Sequence, residues 1–250
     1  MELLHIWGPI AIHSYGLFIA CATLLYWRLI IHDERRKQLF DENVFSSLII
    51  TGIVSAFIGG RVVYALTSHG QIESFLDLLL PWYGGFSILG SVIATVSTIA
   101  FYLWSRAIPV LPTADILALY MPLLQAVARI GCLTAGCCGG TALMQARDLW
   151  LYSVHTHPTQ LYSAGALLLL FACLYAMAHK RWHAQGTIFA AYVIGVGLER
   201  FIVDFFRADR TCTPMSWLSV QQCIALLVIS SGLGIYWYVR RYTHERIQSH

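Results

Sequence analysis

The sequence predicts an all-α membrane protein: a seven-span helical bundle with its amino terminus outside and its carboxyl terminus in the cytoplasm. Three observations support that expectation. The 250-residue chain is 58% hydrophobic and only 12% charged, with a mean hydropathy of +0.64, whereas ordinary soluble domains carry roughly 25% charged residues. An apolar window of about 19 residues finds seven stretches, near 14–31, 44–66, 86–104, 113–131, 160–178, 185–204 and 217–239. The cations then sort between alternate connections. Arg28, Arg35, Arg36, Lys37, Arg106, Lys180, Arg181, Arg240, Arg241 and Arg246 fall on one side, and only Arg147, Arg207 and Arg210 on the other. The positive-inside rule makes the first side cytoplasmic. An odd number of spans requires the same orientation.

No fixed-period repeat or low-complexity run divides the chain, so residues 1–250 read as a single polytopic membrane domain. The net charge of +3 reflects topology, and nucleic acid is not an expected partner. Seven cysteines, several inside apolar runs, do not form a disulfide framework. The start, Met1 to His13, lacks the basic segment and cleavage site of a signal peptide. The sizeable outside segments, 67–85 and 132–159, carry Trp82, Tyr83, Trp150 and Tyr152 beside polar residues, as interfacial loops do. Within the first of them, 67–80 is expected to lie flat as a short interfacial helix.

The fourth span runs into Ala128-Arg129-Ile130-Gly131-Cys132-Leu133-Thr134-Ala135-Gly136-Cys137-Cys138-Gly139-Gly140. A charge at the bilayer centre costs roughly 2.5–3.5 kcal/mol on insertion scales, so Arg129 is expected to face a cavity or a partner. The glycines after it, Gly131 and Gly140 among them, let backbone approach backbone or a ligand. Irregular backbone at membrane depth is tolerated where it is buried or lines a cavity. Together these features read as an embedded site for an anion; the alternative is a helix-end arginine with glycines that serve packing.

Other spans add candidates. Arg200, Asp204 and Arg207 stand at i, i+4 and i+7 and would share one helical face. With Arg129 at the same outer depth, two guanidinium groups and too few acids invite phosphate, which the planar fork binds in bidentate fashion. Arg61 follows Gly59-Gly60 and either joins the cavity or snorkels to the surface. Trp82 to Ser91 reads as a glycine-lined entry into the third span and includes Ser87. His157, Gln160 and Tyr162 are polar groups at the start of span five. His155 and His157 lack a third ligand at useful spacing. Cys132, Cys137 and Cys138 lack the C-x-x-C spacing of zinc sites and read as small packing residues, so no metal site is expected.

Several of these motifs, taken in order over roughly residues 10–210, resemble the bacterial prolipoprotein diacylglyceryl transferases. Tyr15-Gly16-Leu17 is similar to that family's first-span motif, and Gly60-Arg61-Val62-Val63-Tyr64 to its second-span motif. Trp82 to Gly90 resembles its tryptophan-x-glycine-glycine-x-serine element, and Arg129-Ile130-Gly131 falls on its signature arginine. His157-Pro158-Thr159-Gln160-Leu161-Tyr162 is similar to its histidine-proline-serine-glutamine-leucine-tyrosine element, and Arg200 to Arg207 to its last motif.

The resemblance implies transfer of the diacylglyceryl group of phosphatidylglycerol to the lipobox cysteine thiol of a prolipoprotein, or to another thiol acceptor. It implies the bacterial inner membrane as the location and no metal or organic cofactor. Arg129 and Arg200 would hold the phosphate and stabilise its leaving charge. Tyr15, Arg61, Ser87, Gly131, Gly140, His157, Gln160, Tyr162 and Asp204 would bind substrate. The chain departs from the family at four places. Leu89 stands where the family has histidine, and a leucine accepts no proton. Gly90-Ser91 replaces two glycines. Cys132 and Cys137 replace an asparagine and a glutamate. The segment after Gly140 is shorter than the family's outer arm. The rival readings are a related enzyme with another acceptor, a non-catalytic lipid-binding protein and, more weakly, a transporter, although no span pair forms a repeat.

Overall fold

The structure is a computed structural model that describes residues 2–7, 10–67, 85–149, 152–179, 184–211 and 218–248. The expected interfacial helix over 67–80, and the Trp82-Tyr83-Gly84 part of the span-three entry, lie outside the described residues.

A helix stands at each of the seven apolar stretches. They are α1 (Ser14–Ile31), α3 (Glu42–Thr67), α4 (Ile88–Ser105), α5 (Val110–Ala135), α6 (Thr159–Ala178), α7 (Thr187–Val203) and α8 (Val220–Gln248), with a short α2 (Glu34–Leu39) between the first two. Five of the seven, α3, α4, α5, α6 and α8, are long and apolar enough to cross a membrane. At 17 residues, α7 rises about 26 Å, short of the roughly 30 Å hydrocarbon core. The fold is all-α in class and multi-pass, with two short strand pairs beside the helices. Strands β1 (Glu2–Trp7) and β2 (Ile10–His13) pair, and β3 (Ala142–Leu149) pairs antiparallel with β4 (Tyr152–Thr156). A window matched to a membrane span averages over strands of four to eight residues, which is why the hydropathy reading shows them only as loops.

The sequence shows no internal boundary, yet the chain gathers into two compact units. The first comprises Met1–Ile6, Ala11–Ile30 and Ala114–His250. Here α7 packs on both α6 and α8. Close approach at the second contact depends on Gly197 and Gly232, where an added Cβ would lie 2.7 Å from Ile229 and Ile194 respectively. Between apolar helices in lipid, small residues of this kind replace the hydrophobic effect as the source of tight packing. Buried polar groups add directional ties. Tyr26 Oη on α1 donates to the Leu117 carbonyl on α5 at 3.0 Å, and Gln125 Nε2 donates to Tyr192 Oη at 3.0 Å. Asp115 on α5 is buried and accepts from the Gly186 and Phe189 amides at 2.6 and 2.8 Å. Its carboxylate thereby satisfies free donors at the positive end of α7.

The second unit comprises Trp7–Ile10 and Ile31–Thr113. Asp33 caps α2 by accepting from the Arg35 amide, and buried Arg36 donates to the carbonyls of Ile31 and Phe40. α3 and α4 pack along a seam of small residues. A Cβ on Gly59 would lie 2.2 Å from the Ala94 Cβ, and one on Gly90 would lie 2.3 Å from the Gly59 carbonyl oxygen. Elsewhere the apolar faces point outward: Leu24, Ile50, Phe101, Trp104, Leu169 and Leu227 are all more than half exposed, as lipid-facing residues are.

The seam predicts a contrast between two glycines. Gly90→Ala forces Cβ onto backbone and should cost about 1–3 kcal/mol, the range for overpacking. Gly165→Ala on α6 meets nothing within 4 Å and should be neutral or gain up to about 1 kcal/mol of helix propensity. Thermal unfolding of the two variants in one detergent checks this. Equal midpoints would mean that the seam is not tight.

Candidate functional site

The site lies in the first unit and starts at the end of α5. The helix stops at Ala135 with Gly136 at φ +71°. The Gly136 amide donates to the Leu133 carbonyl and the Cys137 amide to the Cys132 carbonyl, at 3.1 and 3.2 Å. This is the Schellman arrangement, in which the third-last helical residue and the second residue beyond the helix come together. Here those residues are Cys132 and Cys137.

The following loop is stitched on two sides. Gly140 donates to the His157 carbonyl, His157 to Thr141, Thr141 to the Phe206 carbonyl and Ala208 to the Gly139 carbonyl, at 2.9 to 3.3 Å. Side chains add to this: Gln160 Nε2 donates to the Cys137 carbonyl at 2.6 Å and Thr159 Oγ1 to the Cys138 carbonyl at 2.7 Å. Gly140 leaves no room for a side chain, since a Cβ there would lie 2.5 Å from the Phe206 oxygen and 2.6 Å from His157. Gly131 likewise lets α1 approach, with a Cβ meeting Phe18 at 2.8 Å and Tyr15 at 3.5 Å. Gly131, Gly140 and Gln160 therefore hold the framework of the site.

Arg129 and Arg200 come from α5 and α7. Arg200 is half-buried and lies within electrostatic reach of Arg129, Arg207, Asp204 and Glu199. Neither Arg129 nor Arg200 makes a hydrogen bond or an ion pair among the described residues. The expected pairing of Asp204 with Arg200 does not occur. Asp204 keeps helical backbone and its amide bonds the Arg200 carbonyl, but a 3₁₀ turn, Asp204–Phe206, follows and Arg207 is extended, so the i+7 residue leaves the face. Asp204 is fully buried. It accepts from Ser219 Oγ and lies 3.7 Å from Arg210. Glu199 accepts from Ser163 Oγ. Arg207 is buried and binds Asp209 through two bonds of 2.6 and 2.8 Å. That pair holds the Asp209 carboxyl below the usual carboxylate range, mainly through the hydrogen bond from Arg207. The same bond raises Arg207 above the usual guanidinium range. Four guanidinium groups thus meet three carboxyl groups, a surplus of one positive charge, and Arg129 and Arg200 are the two without an ion pair among the described residues.

Rings and a cavity lie alongside. His157, Tyr162 and Phe206 pack with centroids 5.3 to 6.2 Å apart, and His157 Nδ1 is 3.4 Å from the Tyr162 hydroxyl. Tyr162 and Phe206, with Ala166, Glu199, Ile202 and Val203, line a cavity of about 360 Å³. Tyr15 is within electrostatic reach of Arg129 and of all three cysteines.

Two expected members belong to the other unit. Arg61 is buried and donates to the Gly85 carbonyl at 2.6 Å, so it neither snorkels nor stands exposed. Ser87 caps α4, accepting from the Gly90 amide at 3.3 Å, while its own amide donates to the Gly60 carbonyl at 3.0 Å. Leu89 is more than half exposed on α4. Sequence reasoning did not find Asp209, Thr159, Ser163, Arg210 or Ser219. Their partners are set by tertiary approach, and only the short Arg207–Asp209 spacing was visible in the chain. It also read Cys132, Cys137 and Cys138 as too poorly spaced to act together. The Schellman turn brings all three thiols within 4.8 Å of one another.

The fold and site define a multi-pass membrane protein with two arginines, Arg129 and Arg200, that make no hydrogen bond or ion pair among the described residues, and an apolar cavity. The chain belongs to the prolipoprotein diacylglyceryl transferase family, whose model matches residues 1–238. It is 31% identical over 235 residues to the phosphatidylglycerol–prolipoprotein diacylglyceryl transferase of Clostridium tetani, covering 90% of this chain and 92% of that one. It is 29% identical to phosphatidylglycerol–prolipoprotein diacylglyceryl transferase 2 of Clostridium perfringens, covering 90% of each. It is 27% identical to the phosphatidylglycerol–prolipoprotein diacylglyceryl transferase of Acinetobacter baumannii strain SDF, covering 92% and 89%. Family and fold together make it a transferase-type enzyme of lipoprotein biosynthesis and a multi-pass inner-membrane protein.

The Arg207–Asp209 pair carries a pH signature. A depressed carboxyl pKa contributes stability above the unfolded value of about 3.9 and loses it as pH falls through the lower folded value. The Asp209 side chain is 64% exposed, so solvent screening keeps the effect small. The midpoint difference between wild type and Asp209→Asn should be constant from pH 5 to 8 and shrink below about pH 4. A difference that grows on acidification would contradict the pairing.

Proposed function

We propose that this protein transfers the diacylglyceryl group of phosphatidylglycerol to a thiol acceptor, the lipobox cysteine of a prolipoprotein signal peptide. The observation that carries this reading is the pair Arg129 and Arg200, which make no hydrogen bond or ion pair among the described residues although Arg200 lies within electrostatic reach of Asp204 and Glu199. A phosphodiester supplies the missing negative charge, and guanidinium meets it with a planar fork. Tyr15 lies close enough to join the headgroup. Tyr162, Phe206 and their neighbours give an acyl chain an apolar wall. In the reaction the acceptor thiol loses its proton to water, and its sulfur bonds to the terminal glyceryl carbon. The carbon–oxygen bond to phosphate breaks, and the electron pair leaves on glycerol phosphate. Arg129 and Arg200 stabilise that developing charge, the task preorganised cations do best. Leu89 supplies no base, so the site favours an acceptor that arrives as thiolate.

In this reading seven helices cross the membrane, with the amino terminus outside and the arginine pair toward the outer leaflet. Single reporter cysteines check the orientation. One at position 37 should resist an impermeant thiol reagent in intact cells, and one at position 147 should react. The reverse pattern would overturn the orientation.

Labelled phosphatidylglycerol with a lipobox peptide tests the activity: labelled peptide and glycerol phosphate should appear together. Glycerol phosphate without labelled peptide would point to another acceptor, and lipid binding without turnover to a non-catalytic protein. Removing one partner of a desolvated charge pair costs about 2–5 kcal/mol, roughly 30-fold or more in affinity. Arg129→Ala should lose phosphatidylglycerol by that factor in native mass spectrometry, against a zwitterionic lipid as control, and Arg129→Lys should recover only part. Unchanged affinity in both Arg129→Ala and Arg200→Ala would make the arginines structural.

A further inference from the structure

We propose that Cys132, Cys137 and Cys138 form a three-thiolate site for one soft d¹⁰ metal ion, Cu(I). The geometry is nearly in place. Three sulfurs bound at about 2.3 Å to one ion at the centre of a triangle stand about 4 Å apart, and these three already lie within 4.8 Å of one another. The chain also builds the cluster through local backbone features. The Schellman turn sets Cys137 back on Cys132, and Cys137 Sγ reaches the Cys132 carbonyl at 3.6 Å. Cys138 then takes a left-handed backbone, φ +62°, which side chains rarely adopt. Outliers of this kind concentrate at functional positions. The loop is held in that shape by Gln160 on the Cys137 carbonyl and Thr159 on the Cys138 carbonyl.

The donor set selects the ion. Thiolate is a soft ligand that favours Cu(I), zinc and iron–sulfur clusters over magnesium or calcium. Structural zinc takes four protein ligands, whereas among the described residues only these three cysteines gather here. Three ligands suit a trigonal Cu(I) site. Binding converts three S–H groups to thiolates and releases three protons. Cu⁺ with three thiolates has a charge of −2. The surroundings are positive: Arg129 lies within electrostatic reach of Cys132, and Arg207 beside Cys138. The turn and the three gathered thiols carry the site, which does not depend on the transferase reading.

The test uses the full chain in detergent, reduced and kept anaerobic, with Cu(I) titrated against a chromogenic chelator. One Cu(I) per chain should bind, with three copper–sulfur bonds in X-ray absorption. Even an outer-shell partner typically costs 10–100-fold in metal affinity, so Cys132→Ser, Cys137→Ser and Cys138→Ser should each weaken binding by about 100-fold or more. Cys21→Ser and Cys173→Ser, at exposed cysteines on α1 and α6, should leave it unchanged. Cys132 is buried, so Cys132→Ser needs a thermal-melt check. Cys137 is exposed, so Cys137→Ser keeps the test valid if the first variant unfolds. Wild-type affinity in Cys137→Ser and Cys138→Ser would overturn the site. So would zinc binding without Cu(I) binding, or thiols that pair as a disulfide and, once reduced, take up no copper.

Discussion

A guanidinium group at membrane depth cannot be left to solvent, and two of them side by side constrain everything around them. Arg129 and Arg200 approach each other while Glu199, Asp204 and Asp209 are occupied by Ser163, by Ser219 with Arg210, and by Arg207. Removing a charge from water is expensive, and the cost is recovered only with an opposite charge or many hydrogen bonds. Each carboxylate is hydrogen-bonded to another partner, and Arg200 feels Asp204 and Glu199 only at longer range. Such an arrangement is poor for a structural ion-pair network and suited to an anionic ligand. The loop that carries the site is held by backbone hydrogen bonds and by Gln160 and Thr159, so no arginine is needed to order it.

Packing in lipid has a different physical basis from packing in water. Tails are as apolar as leucine, so helices associate through close contact and buried polar ties. The seams of Gly59 with Gly90, and of Gly197 and Gly232 on α7 and α8, provide the first. Asp115 at the end of α7, Tyr26 on the Leu117 carbonyl and Gln125 on Tyr192 provide the second. Arg61 belongs with these ties, because its guanidinium fixes the Gly85 carbonyl just before α4.

Much of this was legible in the chain. The seven helices follow from hydropathy, because a span must be long and apolar whatever it packs against. Arg129, Arg200 and the 157–162 element stood out because polar groups at such depths need a reason. The pairing of charges was not legible. The i, i+4 rule places Asp204 one turn from Arg200, but its carboxylate meets Ser219 and Arg210, which only the tertiary fold brings near. The hairpin of β3 and β4 was invisible to a window of span length. The gathering of the three cysteines was not legible for a similar reason. Metal spacings in sequence assume a known turn, and a Schellman turn at Gly136 brings a spacing of five residues to the same place.

The departures from the family pattern are not scattered. Cys132 and Cys137 stand where the family has asparagine and glutamate, and both lie in the turn next to Arg129. Two oxygen-bearing side chains have become two sulfurs, and a third, Cys138, sits beside them in a strained backbone. By the resemblance, Leu89 stands where the family has a histidine, and a leucine offers no base. Binding a phosphate ester needs cations and a fixed loop. Moving a proton needs a group that titrates near neutral pH. In the proposed transfer, Arg129 and Arg200 would meet the first requirement, and the second would fall to an acceptor thiol that comes already ionised or is ionised by its surroundings. Positive charge at Arg129 and Arg200, which lie within electrostatic reach of one another, would lower the free energy of a thiolate that approached them and lessen the need for a separate base.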